Sequence, residues 1–262
     1  MMQMKCRVAA GVLLCGVGSV FATLPLTIDE ADTQDPGTFQ IEAGSSYETD
    51  SECHHYDFPV ALTYGVMPQW DIAAGFGGQL EQRTLHEHEG EDRRVSGLAD
   101  LNLAMKWMFL KESTYLPRQT VCPSVTLPTA DDQKGLGSGK TDYDLTWMAS
   151  KAIGERLGVH LNLGYSWLGE PSGEDVGDLV HGGLAADYQI FDSLQWIGEV
   201  FGEEELKDHE KSWQFNTGFR WEVAEDFILV AAAGSRISVD APEFTATAGL
   251  IWVFGFNGKE NN

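Results

Sequence analysis

Three parts of this chain combine residue types that can do chemistry. Gly135-Leu-Gly-Ser-Gly139-Lys140-Thr141 has the closing half of a phosphate loop, in which glycine N–H groups cradle phosphates and a lysine neutralises them. That pattern needs a glycine five residues before Gly139 and a helix after Thr141. Lys134 stands at the first position and Asp142 to Ser150 alternates like a strand, so the run reads as a flexible external loop and nucleotide binding is rejected. His54-His55 and His86-Glu87-His88, the latter near Glu81, Glu89, Glu91 and Asp92, carry metal-ligand types. Neither spacing fixes a coordination geometry, so solvated acidic loops are the simpler reading and no metal site is assigned. Such loops at an anionic lipopolysaccharide surface can instead share bridging Ca²⁺ or Mg²⁺. For catalysis, His160 and Ser166 share a face but lie too far apart along one strand to touch, no Gly-x-Ser-x-Gly elbow occurs, and the facing of His181 is undetermined. Nothing calls for a catalytic residue or a cofactor.

The elements that must position these residues start after the first 22. Lys5 and Arg7 precede an apolar stretch from Val8 to Phe21 that ends at Ala22, which reads as a secretory signal peptide over 1–22 cleaved near Ala22. As a spanning helix it is short for the ~20 residues a bilayer needs. Forty acidic against seventeen basic residues give a formal charge of −23, the wrong sign for a phosphate-binding surface, so nucleic acid is excluded as a partner. Of four cysteines only Cys53 and Cys122 follow the signal; a surface loop is expected for Cys53 and a strand near the other rim for Cys122, too far apart for a disulfide.

From Phe39 to Phe256 the chain is a succession of segments with a period of two. Ala99, Leu101, Leu103, Met105, Trp107 and Phe109 alternate with Asp100, Asn102, Ala104, Lys106 and Met108, the clearest case. Twelve such strands can be counted, an even number as in bacterial barrels whose two ends lie in the periplasm. Met67 to Gln69, Gly154 to Arg156, Phe191 to Ser193 and Ala224 to Asp226 are tight connections, whereas Glu81 to Val95, Pro128 to Thr141, Leu168 to Asp178 and Gly202 to Lys211 are long and polar. Only Leu110 to Arg118 departs modestly. Short periplasmic turns and long external loops mark an outer-membrane barrel. Aromatics at strand ends form two girdles: Tyr47, Tyr56, Tyr143, Trp167, Trp213 and Phe244 outside, and Phe39, Trp70, Phe109, Tyr188, Trp196, Trp221 and Phe227 on the periplasmic side. Tyr56 falls just beyond its expected strand. A soluble sandwich or lipocalin-like barrel would bury the same aromatics, but it does not demand the loop alternation.

The expected fold is therefore all-β, an antiparallel up-and-down transmembrane β-barrel of about 12 strands. Residues 23–37 are expected as a periplasmic N-terminal segment, 38–256 as the barrel, and 257–262 as a polar tail. If apolar residues meet lipid, Asp100, Asn102, Lys106, Asp142, Asp144, His160, Asn162, Glu199, Gln214, Asn216, Arg220 and Glu222 line the lumen. Charges there need water or partners. Strands about 4.8 Å apart and tilted about 40° give a backbone radius of roughly 12 Å. Two arrangements fit: a solvated pore with mild cation preference, or a plug in which Lys106 and Arg220 pair with neighbouring carboxylates.

Wording in the middle strands adds a resemblance. Pro123-Ser-Val-Thr-Leu-Pro-Thr-Ala-Asp131, Gly135-Leu-Gly-Ser-Gly139, Ser150-Lys-Ala-Ile-Gly154, Asn162-Leu-Gly-Tyr165, Gly97-Leu-Ala-Asp100 and Pro68-Gln-Trp-Asp71 resemble the outer-membrane transporter family named for the meta-cleavage pathway of phenol degradation. The resemblance implies a barrel and uptake of small, aromatic or hydrophobic compounds, and it brings no functional residues. Thr247, Gly249, Trp252, Phe254 and Phe256 resemble the terminal signal read by the barrel-insertion machinery. The expected function is passive passage of a small-molecule solute across the bacterial outer membrane, with membrane lipid and lipopolysaccharide as surroundings. The alternatives are a plugged structural or surface-interaction barrel and a barrel-embedded lipid hydrolase.

Overall fold

The structure, a computed structural model, describes residues 24–50, 53–83, 93–170 and 176–255. The signal-peptide stretch, the His86-Glu87-His88 run, Phe256 and the polar tail lie outside them.

Strands β1 (Thr38–Thr49), β2 (Cys53–Met67), β3 (Trp70–Arg83), β4 (Arg93–Leu98), β5 (Leu101–Leu110), β6 (Arg118–Leu127), β7 (Asp142–Ile153), β8 (Leu157–Trp167), β9 (Leu179–Phe191), β10 (Leu194–Glu205), β11 (Lys211–Ala224), β12 (Phe227–Arg236) and β13 (Phe244–Gly255) form one antiparallel sheet. β4 and β5 are two parts of one stave, both paired with β3, and the Ala99 N–H still donates to the Gly77 carbonyl between them. β13 pairs with β1, β1 with β2 and β2 with β3, so the twelve staves close into a barrel, with β4 at the rim paired to β3 alone. No described helix is long and apolar enough to cross a membrane; the strands do the crossing.

Alternation sorts the two faces. On β5, Leu103, Met105, Trp107 and Phe109 are exposed outward while Asn102, Ala104, Lys106 and Met108 are buried inside. Outward apolar chains end in aromatic runs: Phe227, Trp252, Phe254, Phe39 and Tyr64 follow one another across β12, β13, β1 and β2, with ring centroids 4.4–5.5 Å apart. At the other end Tyr47 lies 4.9 Å from Tyr56 and 6.4 Å from Phe244.

Three local readings change. The β1–β2 hairpin extends past its expected end, so Tyr56 is a strand residue paired with Tyr47, and Cys53 is buried at the start of β2 and not in a loop. Cross-strand pairs such as Glu48 with His55 favour continuing the ladder. Cys122 is buried and forms no disulfide, so none joins it to Cys53. The glycine-rich loop is not loose. A 3-10 turn over Asp132–Lys134, ended by Gly135 at φ 79°, turns Leu136 inward, where it is buried and its carbonyl accepts from Gln79. Gly97 makes room, because a Cβ there would sit 2.5 Å from Leu136 Cδ1.

The largest change concerns the segment expected in the periplasm. The chain before β1 runs inside the barrel, with Leu26, Ile28, Asp29 and Ala31 all buried. It enters past Gly65, where a Cβ would meet the Asp35 carbonyl oxygen at 2.3 Å. Ala31 packs with Ala73, Ala104, Cys122 and Met148, and Leu26 and Ile28 pack with Ala185, Ile197 and Phe201. Its sequence lacks the alternation of a strand. The lumen instead offers inward polar groups that need partners, and a non-repetitive segment with free backbone groups supplies them.

Candidate functional site: a lumen crossed by the N-terminal segment

Eight strands hold the segment through side chains of their inward faces. Glu42 on β1 accepts from the Leu24 N–H at 2.8 Å, and Asp71 on β3 from the Gln34 N–H at 2.9 Å. Glu199 on β10 accepts from the N–H groups of Thr27 and Ile28 at 2.8–3.0 Å and from the Asn216 amide of β11 at 2.8 Å. On β6, Thr120 donates to the Ala31 carbonyl at 2.6 Å. Asn162 on β8, its amide turned to suit, brackets Asp29: its oxygen accepts from the Asp29 N–H at 2.8 Å and its nitrogen donates to the Asp29 carbonyl at 2.9 Å. A strand neighbour would satisfy the backbone in the same way.

Ion pairs lock this arrangement. Lys106 Nζ on β5 lies 2.7 Å from Asp29 Oδ2 and donates to the Glu30 carbonyl at 2.8 Å. Arg220 on β11 meets Glu30 at 2.5 Å, and Arg118 on β6 contacts Asp32. Burial pushes the Glu30 carboxyl up, but Arg220 beside it outweighs that and holds it down at about 2. Lys106 and Asp29 are both almost wholly buried, where an uncompensated charge would be costly.

His160 completes the hold. Its Nδ1 lies 2.8 Å from Ser150 Oγ and its Nε2 2.9 Å from Asp187 Oδ2. Serine, histidine and aspartate in such a chain are the residue types of a hydrolase relay. Here Ser150 Oγ also accepts from the Ala31 N–H at 2.8 Å and is buried, so the chain tethers the segment. The sequence placed Ser166 too far along the strand to touch His160; the barrel joins His160 to Ser150 on the adjacent strand.

Farther outward, Asp144 accepts from Thr146 at 2.7 Å, Ser166 at 2.8 Å and His181 at 2.7 Å, which fixes the inward facing of His181. Asp142 accepts from the Gly169 N–H at 2.8 Å, Asp100 from the Ala130 N–H at 2.7 Å, and Asn102 donates to Thr126 at 2.8 Å. Gln214 is buried, Asn216 accepts from Thr245 at 2.8 Å, and Glu222 is exposed at the inner rim. His54 bonds Tyr47 and Thr49, and His55 bonds Asp57. Among the described residues no group of three or more His, Cys, Asp or Glu is arranged to hold a metal.

The residues that sequence reasoning missed are Asp29, Glu30 and Ser150 with their neighbours Glu42, Asp71 and Thr120. The four strand residues were legible as inward by alternation. No periodic signal could tie Asp29 and Glu30 to Lys106 and Arg220, at sequence separations of 76 or more. Between the segment and the inner turns a cavity of about 370 Å³ remains, bounded by Asp71, Lys106, Arg220, Glu222 and Ile251 among others.

Solved structures share this architecture. An outer membrane channel from Pseudomonas putida F1 is 13% identical and superposes with a TM-score of 0.72, over 86% of this chain and 98% of that one. The NanC porin is 11% identical with a TM-score of 0.55, covering 81% and 98%. The CymD monoaromatic hydrocarbon channel is 9% identical with a TM-score of 0.50, covering 97% and 94%. No curated protein matches the sequence. Residues 25–254 match the model of the family described as "Putative MetA-pathway of phenol degradation", and the chain belongs to that family.

Proposed function

We propose that this protein is an outer-membrane channel that passes small aromatic or hydrophobic solutes passively, with residues 24–37 as the element that sets how far the passage is open. The observation that carries this reading is a sealed barrel whose polar lumen is crossed by a segment of the same chain, held mainly by hydrogen bonds and ion pairs beside two small apolar clusters. Polar contacts to a separate strap can exchange for water, whereas a close-packed centre cannot. A channel from P. putida and the monoaromatic hydrocarbon channel CymD share the fold, which supports the substrate class. Residues 1–22 export the chain and are removed near Ala22, the insertion machinery reads the last strand, and lipopolysaccharide faces the acidic outer loops.

Planar-bilayer recording tests this. Refolded full chain is expected to give small discrete steps, and deletion of residues 25–35 to enlarge them several-fold. Silence from both proteins would favour a structural barrel instead.

A further inference from the structure

We infer that Glu42 is the binding site for the chain's own N-terminal ammonium, which is created when residues 1–22 are removed. This rests on the cleavage near Ala22 put forward above and does not require conduction. Leu24 lies inside the barrel, where its N–H donates to Glu42 Oε2 at 2.8 Å and its carbonyl accepts from Arg220 Nε at 3.4 Å. Two inward glycines keep a seat for its side chain: a Cβ at Gly44 would come within 3.0 Å of Leu24 Cδ1, and one at Gly249 within 2.8 Å. The segment is therefore held in the lumen up to its first residues.

Glu42 is 3% exposed, and Gln40 donates to its Oε1 at 2.6 Å. Among the described residues it forms no ion pair, because Arg220 is paired with Glu30. Two neutral donors leave this carboxylate with free lone pairs and without a cation to offset its desolvation. Hydrolysis between Ala22 and Thr23 supplies one. Water adds across the peptide bond, Ala22 leaves as a carboxylate, and Thr23 keeps the nitrogen as an ammonium with three donors. Consecutive Cα atoms lie about 3.8 Å apart, so this ammonium starts one residue from a nitrogen that already bonds Glu42. With residues 1–22 attached, the same nitrogen is a neutral amide and cannot pair. Elsewhere the wall supplies cations to acids of the segment; here a wall acid meets the segment's cation, which ties the seating of the segment to its processing.

Two measurements on protein purified from outer membranes test the pair. Mass spectrometry reads the first residue, expected to be Thr23. The α-amine is then titrated through the pH dependence of its acetylation rate, followed on the N-terminal peptide. A free N-terminal amine titrates at about 7.7–8.0, and beside Glu42 it should titrate higher. Glu42→Gln keeps an acceptor for the Leu24 N–H and should lower the value by about one pH unit or more. Heat-dependent gel mobility checks that the variant is folded. An ordinary value in the wild type, or equal values in the wild type and folded Glu42→Gln, would overturn the pair and leave the cleavage standing. Any first residue other than Thr23 would overturn it at the cleavage step instead.

Discussion

The inner and outer halves of the lumen come from the same strands and the same alternation, yet they are filled differently. The inner half contains Lys106, Arg118 and Arg220, and each meets an acid of the segment that precedes β1. The outer half is lined by acids and histidines that satisfy one another within the wall, as Asp144 does with Thr146, Ser166 and His181. Strand patterning makes a polar interior, but the placement of cations decides which part of it recruits an acidic strap. In the outer half the wall completes its own hydrogen bonds.

That contrast can be broken most severely at Lys106. Lys106→Met leaves Asp29 buried without its partner, a loss of about 3–5 kcal/mol for such a pair, and denaturant unfolding in detergent should show it. Asp29→Asn in the same background should recover part of the loss; no recovery would mean that Lys106 acts by packing. Ser150→Ala strands the Ala31 N–H and His160 Nδ1 and should cost about 1–3 kcal/mol, whereas Ser166→Ala in the outer half, which leaves Asp144 two other donors, should cost less. Equal costs would erase the distinction between the halves.

Acid provides a graded probe. Glu30 is held at about 2 against an ordinary 4.5, so the unfolded chain takes up its proton first. Its contribution is complete above about pH 4.5 and is lost as pH falls towards 2. Conductance should rise reversibly over that window in the wild type, and Glu30→Gln should be raised already at neutral pH; identical acid profiles would sink the assignment. The smallest effect is expected outside: Asp142→Asn with Asp144→Asn should reduce cation selectivity, read as a shift of reversal potential towards zero. An unchanged potential would place those two carboxylates off the ion path.

How much was legible differs by element. A period of two in Leu101 to Phe109 needs only local rules, because each apolar residue must face away from the water its neighbours require. Turn chemistry around Met67 to Gln69 and girdles of aromatics are equally local. Tyr56 and Cys53 were misread because a strand ends where pairing ends, and pairing with β1 is not visible in β2 alone.

By itself, then, the sequence determined a closed barrel with an apolar outer and a polar inner face, both consequences of side-chain alternation along single strands. Only the tertiary structure decided what stands inside. Asp29 and Glu30 find Lys106 and Arg220, and Ala31 finds Ser150, across separations of 76 to 190 residues. Such matches depend on barrel register and on the path of an aperiodic segment through a cavity, and neither leaves a mark in local sequence.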